Sequence, residues 1–186
     1  YVKRNTHRNT SWDKAKFEVV GHKYADLSDH DYGVALLNDC KYGYMVLDNI
    51  LDLNLLRSPS NPDPDADLGG HEFTFSLLPH TNDLIRSNVI SESSCLNQEP
   101  LLFQGFKSDN QIPLKISGKG VELTVLKKAE KEESWVFRIV ETHGRISNAS
   151  LFFSGKVVEC NLMEWENSSN ETVIENEMKL ELKPFE

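Results

Sequence analysis

Along much of the chain, apolar and polar side chains alternate. Leu51, Leu53 and Leu55 are separated by Asp52 and Asn54, and Phe73, Phe75 and Leu77 by Thr74 and Ser76. Val121, Leu123 and Val125 flank Glu122 and Thr124, while Met178, Leu180 and Leu182 flank Lys179 and Glu181. A period of two turns one set of side chains to a core and the other to water, which predicts half-buried strands at all four places. Val34–Leu37 and Trp135–Val140 are apolar on both faces and predict central, doubly covered strands.

Turn chemistry separates these runs. Ser58-Pro-Ser-Asn-Pro-Asp-Pro-Asp65 cannot be helix or central strand, because proline lacks a donor and restricts the residue before it; it predicts an exposed loop. Asp48-Asn49 and Ser117-Gly-Lys-Gly120 predict tight turns. No long stretch has a 3.6-residue period. The best helical candidate, Lys127–Glu133, reads equally well as a charged hairpin loop. The fold class is all-β, with room for about six strands in residues 111–186.

Composition adds a boundary. The chain has 186 residues and a net charge of −9, and residues 26–110 alone carry −10. An acidic body repels phosphates, so no nucleic-acid partner is expected. No apolar run approaches the roughly 20 residues of a membrane span, so no membrane partner is expected either. Residues 1–110 hold 12 Asp and 4 Glu, whereas residues 111–186 hold 13 Glu and no Asp. Asp favours turns and caps through local backbone bonding. The change in acid type marks a division at 106/107, with Lys107–Gln111 as linker. The start at Tyr1 rather than Met leads us to expect a fragment or a processed piece.

Few residues point to chemistry. Cys40, Cys95 and Cys160 have no zinc-type spacing, and buried free thiols are expected, in a reducing compartment. Asp63-Pro-Asp65-Ala-Asp67 opens like a calcium loop but has Leu68 and Thr74 where Gly and Glu are required, so a solvated acidic loop is expected. Asp26, Asp29 and Asp31 around His30 read as a polar turn. Four sequons occur, at Asn9, Asn148, Asn167 and Asn170. Asn38-Asp39-Cys40-Lys41 stands out, because it follows a strand that reads as buried on both faces, where a rigid scaffold can hold polar groups in a cleft.

At longer range the sequence is similar to glycoside hydrolase family 38, the retaining α-mannosidases. The residues that carry the likeness are Thr6–Asp13, Phe17-Glu18-Val19, Ala25–Ser28, Tyr32–Tyr44, Leu55–Pro59, Pro62-Asp63-Pro64, Ala66-Asp67, His71–Phe75 and Leu78-Pro79-His80. Val121-Glu-Leu123, Lys127–Glu130, Arg138–Glu141 and His143-Gly-Arg145 resemble the small sandwich that ends the family's chains. The branch resembled is that of the cytosolic and fungal vacuolar enzymes. Gly70 and Met45 stand where the family usually has Arg and Asp, so the resemblance assigns those positions no role.

The resemblance implies the end of a large, galactose mutarotase-like β-supersandwich over residues 1–106, then a small β-sandwich over 107–186. It implies a zinc ion and an aspartate nucleophile in an N-terminal α/β domain of the parent enzyme, which is then this chain's partner. This chain is expected to bind no metal, to hold no catalytic residue and to be inactive alone. Its implied role is to support that domain and partly line a cleft for mannose oligosaccharides through Asn38, Asp39, Lys41 and Tyr42. The competing reading is a non-catalytic carbohydrate-binding module or a subunit-assembly module, with homo-oligomers possible. The resemblance implies a cytoplasmic or vacuolar location.

Overall fold

Strands dominate. A computed structural model describes residues 1–102, 104–105, 114–130, 132–165 and 172–186. The chain divides into two compact units, Val2–Phe103 and Gln104–Glu186. The linker read at Lys107–Gln111 and the sequons at Asn167 and Asn170 lie outside the described residues.

The first unit holds two three-stranded antiparallel sheets. One has the order β1-β4-β5, from Val19–Val20, Gly43–Leu47 and Ile50–Asn54. The other has the order β2-β3-β6, from Tyr24–Ser28, Tyr32–Asn38 and Phe75–Thr81. β3 is central and largely buried, as its unbroken apolar run predicts. A short helix α1 spans Ser11–Ala15 and is closed by a capping box in which Thr10 and Asp13 bond reciprocally.

One face of the β2-β3-β6 sheet is covered by helix α2, Val89–Asn97. Ala35, Leu37, Leu84 and Val89 form the core there, with Tyr24, Leu78, Ile90 and Leu96 packed against it. The sequence pattern did not predict this helix. Its covered stripe is Val89, Ser93 and Leu96, and a buried serine in the middle position breaks the apolar period. The Ser93 hydroxyl is satisfied within the helix by the Ile90 carbonyl at 2.7 Å.

The phase of β6 also differs from expectation. Gly33, Ala35 and Leu37 pair with His80, Leu78 and Ser76, so Leu78 and His80 share the helix-covered face. Phe75 and Leu77 take the opposite face, and Leu77 is 65% exposed. The apolar alternation predicts the reverse; helix α2 selects the other face by covering it.

The same face of the sheet carries a polar cluster. His80 Nε2 sits 2.8 Å from Asp26 Oδ1, and both side chains are almost fully buried. Ser28 Oγ donates to the second Asp26 oxygen at 2.6 Å. Gly33 makes this possible: a Cβ there would lie 2.5 Å from His80 Cε1 and would also overlap Ser28. The turn that follows β2 is an aspartate turn, with Asp29 Oδ1 accepting from Asp31 N and Tyr32 N.

The second unit contains β7 (Lys115–Ser117), β8 (Val121–Lys128), β9 (Trp135–Glu141), β10 (Ser147–Phe152), β11 (Gly155–Val157), β12 (Thr172–Ile174) and β13 (Glu177–Leu182). Its sheets are ordered β13-β10-β7, β8-β9 and β11-β12. Among the described residues, every strand of this unit except β8 sends residues into one core around Leu114, Leu151 and Ile174, including Phe137 and Ile139 from β9 and Met178 and Leu180 from β13. Sheets sharing an apolar centre in this way form a small β-sandwich.

One expectation is corrected here and one open reading is decided. Trp135–Val140 is not a doubly covered central strand among the described residues: β9 pairs with β8 alone, and Trp135 is 71% exposed. Of the two readings of Lys127–Glu133, the described residues follow the charged hairpin: β8 runs to Lys128, Ala129 N donates to Ser134 O at 2.9 Å, and Lys128 reaches Glu133 at 2.9 Å across the turn.

Glu141 closes the second unit. It has 0% exposure, and it accepts from the backbone N–H groups of His143, Gly144, Arg145 and Phe185 and from Ser147 Oγ. Burial raises its pKa, but these donors together outweigh burial and hold the carboxyl below its ordinary range.

Candidate functional site

The turn after β3 is built from its first residue. Asn38 is 1% exposed and hydrogen-bonds on every side. Its side-chain carbonyl accepts from Cys40 N at 3.1 Å and Lys41 N at 2.5 Å, an Asx turn that reverses the chain. Its amide donates to the Tyr44 hydroxyl. Its main-chain carbonyl accepts from Asn97 Nδ2 at 3.1 Å, and the same Asn97 nitrogen reaches Ser93 O at 2.8 Å. The turn is thus tied to strand β4 through Tyr44 and to helix α2 through Asn97. Burial raises the Tyr44 phenol above its ordinary pKa, against the lowering effect of the Asn38 bond.

Two neighbouring segments clamp the turn from outside. Asn38 N donates to Lys23 O and Gly21 N to Tyr42 O, both at 2.9 Å. On the other side Asp39 N donates to Thr74 O at 3.2 Å, and Thr74 N returns a bond to Asp39 Oδ2 at 3.0 Å.

Held this way, the turn displays three of the four sequence candidates. Asp39 is exposed, and its pKa is lowered first by the hydrogen bond from the Cys40 thiol and then by Thr74 N–H. The same bond to Asp39 raises the Cys40 thiol above its ordinary pKa. The Lys41 ammonium lies 5.0 Å from the centroid of the Phe73 ring, within cation–π range. The exposed Tyr42 ring packs on His22 at a centroid distance of 4.8 Å and an angle of 53°. Asn38 differs from the other three, because its side chain is consumed inside the fold and acts on the turn from below.

The arrangement offers an acceptor, a cation and an aromatic edge on a rigid support, groups suited to the hydroxyls and ring face of a sugar. Tyr44, Asn97, His22, Phe73 and Thr74 complete it. Local spacing carries no signal for Asn97, which is 59 residues from its partner. Phe73 and Thr74 precede β6 and read only as strand residues.

Other sequence candidates take structural roles. Asp63 Oδ1 accepts from Asp65 N, and Asp67 Oδ2 from Ser58 N, so these acids order their own loop. His71 Nε2 lies 2.8 Å from Asp67 O in that loop. The three cysteines are free but exposed, which corrects the expectation of buried thiols: each falls on a turn, a helix flank or a loop outside the cores. Among the described residues no three His, Cys, Asp or Glu side chains come together. No helix among the described residues is long and apolar enough to cross a membrane.

Residues 1–65 match the glycosyl hydrolases family 38 C-terminal domain, and residues 120–186 match the glycosyl hydrolases family 38 C-terminal beta sandwich domain. The chain belongs to glycosyl hydrolase family 38, as part of its C-terminal region. It is 38% identical over 198 residues to alpha-mannosidase G of Dictyostelium discoideum, covering 100% of this chain and 18% of that protein. It is 40% identical over 199 residues to alpha-mannosidase 2C1 of Homo sapiens, covering 100% of this chain and 19% of that protein. An alpha-mannosidase of Saccharomyces cerevisiae is 52% identical over 88 residues, 47% of this chain and 8% of that protein. The chain therefore spans less than a fifth of the length of these curated relatives.

Proposed function

We propose that this chain is the C-terminal β portion of a retaining α-mannosidase that removes terminal α-linked mannose from oligosaccharides. The observation that carries the reading is the Asn38-anchored turn. Asp39, Lys41 and Tyr42 line the sugar cleft from the β side, and Asn38 positions them. An N-terminal α/β domain is the partner; it supplies the aspartate nucleophile and would hold the zinc ion, which would act there as a Lewis acid toward sugar hydroxyls. Reaction with retention passes through a covalent glycosyl-enzyme that water then hydrolyses.

Within that scheme the chain's own residues bind and orient. The Lys41 ammonium donates to sugar hydroxyls or to acidic groups in the cleft, with Phe73 limiting its motion. Asp39, held ionised by Cys40 and Thr74, accepts from a sugar hydroxyl. Tyr42 presents an aromatic edge to the ring. The protein works in the cytoplasm or a vacuole; three free thiols support a reducing site of synthesis.

The test is reconstitution. The 186-residue chain alone shows no release of mannose from a p-nitrophenyl α-mannoside, and the polypeptide that also carries the N-terminal portion does. Absence of mannosidase activity in the joined polypeptide overturns the reading.

A further inference from the structure

A second candidate site lies in the β1-β4-β5 sheet. Side chains alternate across β4 and β5, so Tyr44 and Leu53 share one face while Gly43, Met45, Asp52 and Asn54 share the other. Tyr44 is the residue that bonds Asn38, so the second face is turned away from the Asn38 anchor. A cavity of about 540 Å³ opens at the end of β5, lined by Glu18, Met45, Asp52 and Asn54 from this face and also by Phe17, Leu53, Leu55 and Leu56. That volume lies within the usual range of small-ligand sites.

The lining is selective in its chemistry. Glu18 Oε1 accepts from Asn54 Nδ2 at 3.0 Å, across 36 residues of sequence. The absence of a side chain at Gly43 is what admits Glu18, since a Cβ there would overlap Glu18 Oε1. That bond uses one carboxylate oxygen and one amide hydrogen. The pair still has a carboxylate oxygen, an amide carbonyl and a second amide hydrogen to offer, a mixed donor and acceptor set at fixed spacing. Phe17 is 61% exposed and supplies a flat apolar platform beside it. Two carboxylates line the cavity and no lysine or arginine does. An anionic ligand is therefore repelled. A bare metal cation finds fewer than three acidic ligands.

We propose that this cavity is a binding site for a neutral saccharide, separate from the cleft lined by Asp39 and Lys41. Phe17 stacks on one face of a pyranose ring, and Glu18, Asp52 and Asn54 bond its hydroxyls. The site holds a neutral glycan away from the bond being cut.

The test uses the full-length polypeptide that carries this chain, titrated with maltose and cellobiose, neutral disaccharides without the α-mannose that the cleft takes, and with glucuronate as the anionic control, read by calorimetry and saturation-transfer NMR. At least one neutral disaccharide is expected to bind, with glucuronate at least tenfold weaker. Phe17→Ala is expected to lower its affinity about tenfold and Asp52→Asn about fivefold, with unchanged melting temperature. The proposal is overturned by absence of neutral-disaccharide binding. It is equally overturned by binding that survives both cavity variants, or that is lost only in Lys41→Ala. The last of these outcomes leaves the reading of the Asn38 turn intact and places the sugar there alone.

Discussion

Asn97 at the end of helix α2 donates its side-chain amide to the main-chain carbonyl of Asn38, 59 residues earlier, at 3.1 Å. That bond fastens the helix to the end of the strand from which the polar turn departs. Asn97→Ala leaves the Asn38 carbonyl without this donor. A lost hydrogen bond at a part-buried group costs about 1–2 kcal/mol. The expected result is a stability loss of that size in urea denaturation of the intact polypeptide, with a few-fold fall in kcat/KM as the turn loosens.

Asn38 itself carries more. Asn38→Ala removes the acceptor of two backbone N–H groups and the donor to the buried Tyr44 hydroxyl. The expected loss is about 2–4 kcal/mol, at the upper end for single substitutions because several buried groups are orphaned at once. Asn38→Asp keeps the acceptor oxygens for the turn but removes the donor to Tyr44, and is expected to retain part of the stability. Equal stability of Asn38→Ala and the parent protein in urea titration would contradict the role of this residue as anchor.

The Asp26–His80 pair makes a steric prediction. Gly33→Ala places a methyl group against the His80 ring and Ser28, where β-sheet pairing on both sides of β3 leaves no room to move. Overpacking of this kind costs about 1–3 kcal/mol. His80→Ala removes one partner of a buried pair and is expected to cost about 3–5 kcal/mol. Thermal unfolding of the two variants checks the order: His80→Ala melts below Gly33→Ala, and both melt below the parent.

Glu141 sets a pH dependence for the second unit. Its folded pKa lies below the ordinary value, because five donors outweigh burial. A depressed carboxyl stabilises the fold above its unfolded pKa, about 4.3. That contribution is lost as pH falls from there through the folded pKa. Glu141→Gln puts an NH2 group among N–H donors and is expected to destabilise the protein at pH 7. Its stability should also change less than the parent's between pH 5 and acid. Parallel stability–pH curves for the two proteins would contradict this.

The sequence carried these features unequally. Alternation over residues 50–54 and 177–182 and the apolar run in β3 were legible, because a strand's faces are written in adjacent residues. The phase of β6 was not, because the covered face is chosen by helix α2, and that helix hides behind a buried serine. At the site, the polar turn after β3 could be read from Asn38–Lys41, since a strong Asx former follows a buried strand. The supports could not. Asn97, Phe73 and His22 reach the turn only through tertiary packing, and nothing in their local sequence encodes it. Asp26 read as one of several turn acids, while its partner His80 lies 54 residues away.

The measurement that bears most directly on the central claim is steady-state kinetics of Lys41→Ala in the polypeptide joined to its N-terminal portion. Lys41 contributes to no core, and its ammonium meets only the Phe73 ring among the described residues, so stability should change by less than about 0.5 kcal/mol. Loss of a charge-assisted hydrogen bond to substrate or to a cleft acid costs about 1.5–3 kcal/mol. The corresponding fall in kcat/KM is roughly ten- to hundredfold. That fall at unchanged melting temperature is the predicted result. Wild-type kcat/KM in a folded Lys41→Ala protein would contradict the assignment of the turn to the sugar cleft.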